Sequence, residues 1–273
     1  MNQIGIMQGR LSRPLGQTIQ TFPVGTWAAE FGLAQQAGLA SIEWIYDLAG
    51  ESDNPLRSDD ALAGIRREID RTGVAVHSLC ADWFMDFPLL RCAPAERAER
   101  IERFRWLLGR CEALGVQRVV LPFVDASAIR DELERGQVAG FCREVLPLLE
   151  RHHLELHLET ALGPVDFAAL LAQVVHPLVG VNYDSGNSAS LGHDPRAEFA
   201  AYGDRIGSIH IKDRKRGAGT VPLGSGDTDF PSVFSWIKAR KFPHPLIMQV
   251  ARGEAGRELE HAQANRAWIL AKV

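Results

Sequence analysis

Short apolar runs recur roughly every 25 to 45 residues, each followed by polar or glycine-rich residues and then by a helix-period pattern. Such alternation is what parallel strands joined by crossover helices produce. Eight runs are present, at residues 4–7, 40–45, 74–79, 118–123, 154–159, 179–183, 206–211 and 245–250. Eight strand and helix units in about 250 residues give the arithmetic of an α/β fold closed as a (β/α)8 barrel, a TIM barrel. No linker, low-complexity tract or composition break interrupts it, so residues 1–273 are expected to form one domain. Between the strands, residues 94–114 place Ile101, Phe104, Leu108 and Cys111 on one stripe. Glu96, Arg97, Glu99, Arg100, Glu102, Arg103 and Arg105 cover the rest, and that charge run reads as a solvated helix face. Gly115 stops this helix as a left-handed cap. Helices over 27–37, 59–71 and 254–272 are read in the same way, the first two ending at Gly38 and Gly73.

The fifth run is unusual. Leu154, Leu156 and Leu158 alternate with Glu155, His157 and Glu159, which is the two-residue period of a strand with one apolar and one polar face. An unpaired buried carboxylate is very costly, so this polar face must meet solvent, a partner charge or a metal. Glu159, at the strand's end, is the residue on which chemistry is expected to be built.

Composition narrows the classes. A hydrophobic content of 46% supports a full core, and a net charge of -4 gives no electrostatic case for a nucleic-acid partner. The cysteines at 80, 92, 111 and 142 are widely scattered and form no Cys-x-x-Cys pair, which suggests neither a zinc knuckle nor a disulfide framework and fits a reducing cytoplasm. The first ten residues lack the basic and apolar regions of a signal peptide, and no apolar run approaches the roughly 20 residues of a membrane span. The expectation is a soluble, cytoplasmic protein with no membrane partner.

In a barrel of this kind, catalytic groups come from the carboxyl ends of several strands. The fifth to eighth runs end in Glu159, Asp184, His210 and Gln249. Two carboxylates, an imidazole and an amide oxygen form a mixed shell suited to one divalent ion, Mn²⁺, Mg²⁺, Co²⁺ or Zn²⁺. Each alone reads as a polar rim residue; four on consecutive strands read as a set.

These positions resemble the sugar isomerase and epimerase superfamily of xylose-isomerase-like barrels, which includes ketose 3-epimerases, sugar-phosphate epimerases and, more distantly, type IV apurinic endonucleases. The anchors are Glu159, the Asp184-Ser-Gly-Asn187 turn, the His210-Ile-Lys212-Asp213 segment and the Pro222-Leu-Gly-Ser-Gly226-Asp-x-Asp229 loop. The resemblance implies a divalent metal held by Glu159, Asp184, His210 and Gln249, sugar oxygens completing the shell, and a homodimer as in relatives. This chain departs from the family twice. Gln249 stands where a second glutamate is usual, and Asn187 where a histidine is common. An amide has no useful proton affinity near neutral pH, so a symmetrical two-glutamate mechanism is not available here.

The expected chemistry is proton abstraction beside a carbonyl, with Glu159 as base and an enediolate intermediate. Glu43, His77 and Lys212 are the candidates for a second proton carrier; His77 also reads as a core residue. Gln8, Arg10, Asn187, Arg214 and Arg216 are candidates for substrate binding. The cation-rich segment 212–216 favours a phosphorylated or acidic sugar, because a guanidinium fork suits such anions. His157 reads as a hydrogen-bond partner beneath Glu159, and His152 and His153 as a helix end. Trp27, Trp106, Trp236 and Trp268 read as packing, Trp83 and Phe84 as a cover for a sugar ring, and Gly224 and Gly226 are too few for a nucleotide loop. The alternatives are a metal-dependent lyase or hydrolase, a non-catalytic sugar-binding relative and, with less support, an apurinic endonuclease-like nuclease.

Overall fold

The computed structural model describes residues 3–14, 16 and 19–273. In chain order its strands are β1 (Ile4–Met7), β2 (Ser41–Ile45), β3 (Ala75–Cys80), β4 (Arg118–Phe123), β5 (Glu155–Thr160), β6 (Val179–Asp184) and β7 (Ile206–Ile211). A short pair, β8 (Asp213–Arg214) and β9 (Thr220–Val221), precedes β10 (Leu246–Met248). The helices are α1 (Trp27–Gln36), α2 (Asp59–Thr72), α3 (Trp83–Asp86), α4 (Pro94–Leu114) and α5 (Glu132–His152). After them come α6 (Pro164–Ala172), α7 (Ser185–Leu191), α8 (Pro195–Tyr202), α9 (Phe230–Arg240) and α10 (Glu258–Leu270).

Eight parallel strands close into a barrel in the ring order β1-β10-β7-β6-β5-β4-β3-β2, as the spacing of apolar runs predicts. The eighth run yields a strand of only 3 residues, and the last helix begins at Glu258 rather than 254. Gly256, at φ +91, turns the chain there, a conformation that a helix does not admit. No helix among the described residues is long and apolar enough to cross a membrane.

Two kinds of core result from strand alternation. Outward-facing side chains such as Ile42 and Trp44 pack under the helices, and Trp44 is fully buried against Phe22, Trp27 and Phe31. Trp106, Trp236 and Trp268 likewise pack against Tyr46, Phe199 and Phe230. Inside the barrel, where branched aliphatic layers are usual, the chain places Glu43, Ser78, Arg118, His157, Glu159, Asn182, Ser208 and His210, all buried. Polar contacts link seven of them, and Arg118 meets His244 and Glu155 instead. His157 sits 3.0 Å from Glu155 and 2.9 Å from Ser208, Ser208 donates to Asn182 at 2.7 Å, and Asn182 donates to Glu159 at 2.7 Å. The His157 ring occupies room left by two glycines: a Cβ on Gly207 would lie 2.4 Å from the ring and one on Gly180 3.0 Å from it.

Candidate active site at the barrel mouth

The register of the strands decides which groups meet. Asp184 on β6 pairs with His210 on β7, and Glu159 lies on the adjacent β5 with its side chain on the same inner face. One ligand atom from each of Glu159, Asp184 and His210 falls within 4.8 Å of the others, and all three residues are buried. His210 Nδ1 is 3.2 Å from Glu159 Oε2 and 3.9 Å from Asp184 Oδ2. Asn187 Nδ2 donates to Glu159 Oε1 at 2.7 Å, while Asp184 Oδ1 accepts the Asn187 amide at 2.8 Å and so caps α7.

The other side of the imidazole explains Glu43. Its carboxylate, with no exposure, lies 2.6 Å from His210 Nε2 and accepts from Ser78 Oγ at 2.6 Å. A carboxylate behind a histidine fixes its tautomer, here leaving Nδ1 as the nitrogen that faces Glu159 and Asp184. Burial lowers the basicity of His210, but Glu43 and Glu159 outweigh it and hold the imidazole well above its ordinary value. Glu43 is therefore set below the mouth, in contact with His210 rather than with the cavity.

His77 is not brought to the site. It alternates with Ser78 and Cys80, whose side chains reach Glu43 and Asp82, so it projects from the other face of β3. Burial, with Arg118 nearby, holds it below the usual histidine range. Lys212 does reach the mouth: Nζ donates to Gln249 Oε1 at 2.8 Å and to Asp184 Oδ2 and Asn187 Oδ1 at 3.3 Å each. Gln249 thus turns its amide oxygen toward an ammonium, and its Nε2 donates to Gln20 Oε1 at 3.0 Å.

Over these groups opens a cavity of about 780 Å³, within the range of small-molecule sites. Glu159, Asn187, Lys212, Arg214 and Gln249 line it. Arg10 also lines it, but its guanidinium is spent on the carbonyls of Val250 and Ile19 and on Gln20, and burial beside Arg252 brings it down to about 9. Gln8 accepts the Ile45 amide at 2.9 Å beneath the mouth. Arg214 donates to Asn187 at 2.8 Å, whereas Arg216 lies against Gly192, away from the cavity. Trp83 and Phe84 turn inward and pack against Phe87 and Phe104, and their neighbours Met85 and Asp86 line the cavity instead.

Sequence reasoning missed the opposite wall. Asp47, Asp82 and Asp125 each stand two residues past the ends of β2, β3 and β4 and line the cavity. The same strand-end rule that selected Glu159 would have found them, had it been extended beyond the final residue of each run. Asp125 adopts φ +50, unusual for a non-glycine residue.

Comparisons with known proteins agree with this fold. A family described as a xylose isomerase-like TIM barrel matches residues 31–272. L-ribulose-5-phosphate 3-epimerase UlaE of Salmonella paratyphi C (strain RKS4594) is 25% identical over 273 residues, covering 95% of each chain. Among solved structures, the IolI protein with a bound zinc atom superposes at TM-score 0.79 with 17% identity, over 100% of this chain and 99% of that one. D-psicose 3-epimerase of Clostridium cellulolyticum H10 with D-tagatose gives 0.77 and 15%, over 100% and 99%. The two structural matches carry the fold, and the family match carries the membership. The chain belongs to the xylose isomerase-like TIM-barrel family.

Proposed function

We propose that this protein is a divalent-metal-dependent epimerase or isomerase of a ketose or its phosphate, with Glu159 as the base that removes the proton beside the carbonyl. The observation that carries this reading is the position of Glu159: its carboxylate lines the mouth cavity and is within ligand distance of Asp184 and His210. The sugar epimerases among the relatives support the same reading.

The donor set fits a divalent ion. Glu43 commits His210 Nε2, and the remaining nitrogen converges with two carboxylates, a mixed nitrogen and oxygen set. Glu159, Asp184 and His210 would hold the ion, which when bound would polarise the substrate carbonyl and offset enediolate charge. Gln249, whose oxygen accepts from Lys212, is left to orient that ammonium.

The chain's own residues account for the rest. Asn182 and Asn187 each donate to one Glu159 oxygen and hold the carboxylate in place for proton transfer. Such positioned acid–base catalysis contributes about 10²–10⁴-fold. Lys212 and Arg214 are the cations at the mouth that suit the anionic end of a phosphorylated or acidic sugar. The test is Glu159→Gln assayed in deuterium oxide against ribuloses and their 5-phosphates. Deuterium incorporation at the wild-type rate in this variant would remove Glu159 from the base role.

A further inference from the structure

Inversion at one carbon needs a proton carrier on each face of it, and the structure removes the obvious second carriers. Gln249 is an amide, Glu43 lies behind His210, and His77 faces away from the cavity. Lys212 spends its N–H groups on Gln249, Asp184 and Asn187. We propose that Asp82 is the second proton carrier, working on the face of the substrate opposite Glu159. This assignment rests on the epimerase reading above.

Asp82 follows β3, two places round the ring from β5 and four from β7, so it approaches the cavity from another wall than Glu159 and from the side opposite His210 and Lys212. It lines the same cavity as Glu159. Two neutral donors hold it: Gln20 Nε2 at 2.6 Å on Oδ2 and Cys80 Sγ at 3.1 Å on Oδ1. Gln20 is the same side chain that accepts from Gln249, so the residue that cannot carry a proton is linked through one amide to one that can. Burial holds the Asp82 carboxyl above the usual range, with Glu159 and Asp47 adding to the rise and the Gln20 and Cys80 bonds opposing it. A carboxyl placed so keeps its proton to higher pH, as a proton donor must.

The step balances. Glu159 takes the proton from carbon, and the C–H electron pair becomes the enediolate double bond as the carbonyl pair moves to oxygen. The enediolate collapses, and its carbon takes the Asp82 proton from the other face, restoring the carbonyl. The enzyme is left with Glu159 protonated and Asp82 ionised. Exchange with solvent at the mouth resets both, and the reverse reaction uses them in exchanged roles.

The experiment follows epimerisation and deuterium uptake separately, using the D and L ribuloses and their 5-phosphates, for the wild type, Asp82→Asn and Asp82→Glu. Asp82→Asn is expected to lower product formation at least about 100-fold, while deuterium still enters the one epimer whose proton faces Glu159. Asp82→Glu restores part of the epimerisation. Product formation by Asp82→Asn within about threefold of wild type overturns the assignment. A wild type that exchanges none of these sugars overturns the epimerase reading and this assignment with it, whereas normal wild-type exchange beside an unaffected Asp82→Asn overturns this assignment alone.

Discussion

Replacing Glu43 by glutamine separates support of His210 from proton transfer. Glu43 has no exposure and makes two contacts of 2.6 Å, to His210 Nε2 and from Ser78 Oγ. The glutamine is nearly isosteric and keeps an oxygen for the imidazole, so what changes is charge. A hydrogen bond to a charged group contributes about 1.5–3 kcal/mol and a neutral one about 0.5–1.5, so the bond behind His210 weakens by roughly 1–1.5 kcal/mol. Loss of a carboxylate behind a ligating histidine typically lowers metal affinity by about 10–100-fold, on the order of 1.4–2.7 kcal/mol. The two routes agree in size. The assay is competition for Zn²⁺ or Mn²⁺ against a chromogenic chelator, followed by sugar proton exchange at saturating metal. The expected result is affinity weakened by at least about tenfold with exchange recovering once metal saturates. Unchanged affinity, or exchange that stays abolished at saturating metal, refutes the supporting role and makes Glu43 a proton carrier after all.

Further predictions rest on individual contacts. Gly207→Ala drives a methyl to 2.4 Å from the His157 ring and should cost about 1–3 kcal/mol in urea unfolding; Gly136→Ala, in open space on α5, should be neutral or stabilising by about 0.5–1 kcal/mol. Asp213 is fully buried and accepts the amides of Gly224, Gly226 and Thr228. Asp213→Asn turns an amide toward one of these donors and should cost about 1–3 kcal/mol, with faster proteolysis of the 222–229 loop. Glu30, raised to about 7 by burial despite bonds from Gly9 and Leu11, binds a proton when folded that it releases when unfolded. Its contribution is therefore full below about pH 4.5 and lost as pH rises through about 7, a change of about 3 kcal/mol. The pH profile of wild-type stability should show this fall, and Glu30→Gln should flatten it.

Much of the fold was legible because barrel strands and helices are specified locally. Residues 94–114 carry their own stripe, first-turn proline and glycine stop, and α4 spans Pro94–Leu114. The strand ends were legible for the same reason, since alternation alone puts Glu159 on the polar face of its strand. Where side chains turn in loops, sequence reasoning failed. Trp83 and Phe84 were expected over a sugar, but a one-turn helix rotates them inward and presents Asp86. Arg10 and Arg214 read alike as cations near strand ends, yet one is consumed by main-chain carbonyls and the other lines the mouth with Asn187.

The sequence by itself determined that eight strands alternate with helices and that acidic, imidazole and amide groups end the last four of them. Period, caps and strand ends are properties of neighbouring residues, so a linear reading reaches them. Only the tertiary structure decided the partners. Closing the ring brings Glu43 of β2 against His210 of β7, 167 positions apart in the chain, and converts a candidate acid into the support of a candidate ligand. The same closure brings Asp82, in the loop after β3, to the cavity that Glu159 lines. Which of two carboxylates meets substrate and which meets an imidazole depends on register and barrel stagger, and those are fixed by packing of the whole sheet rather than by any local run of residues.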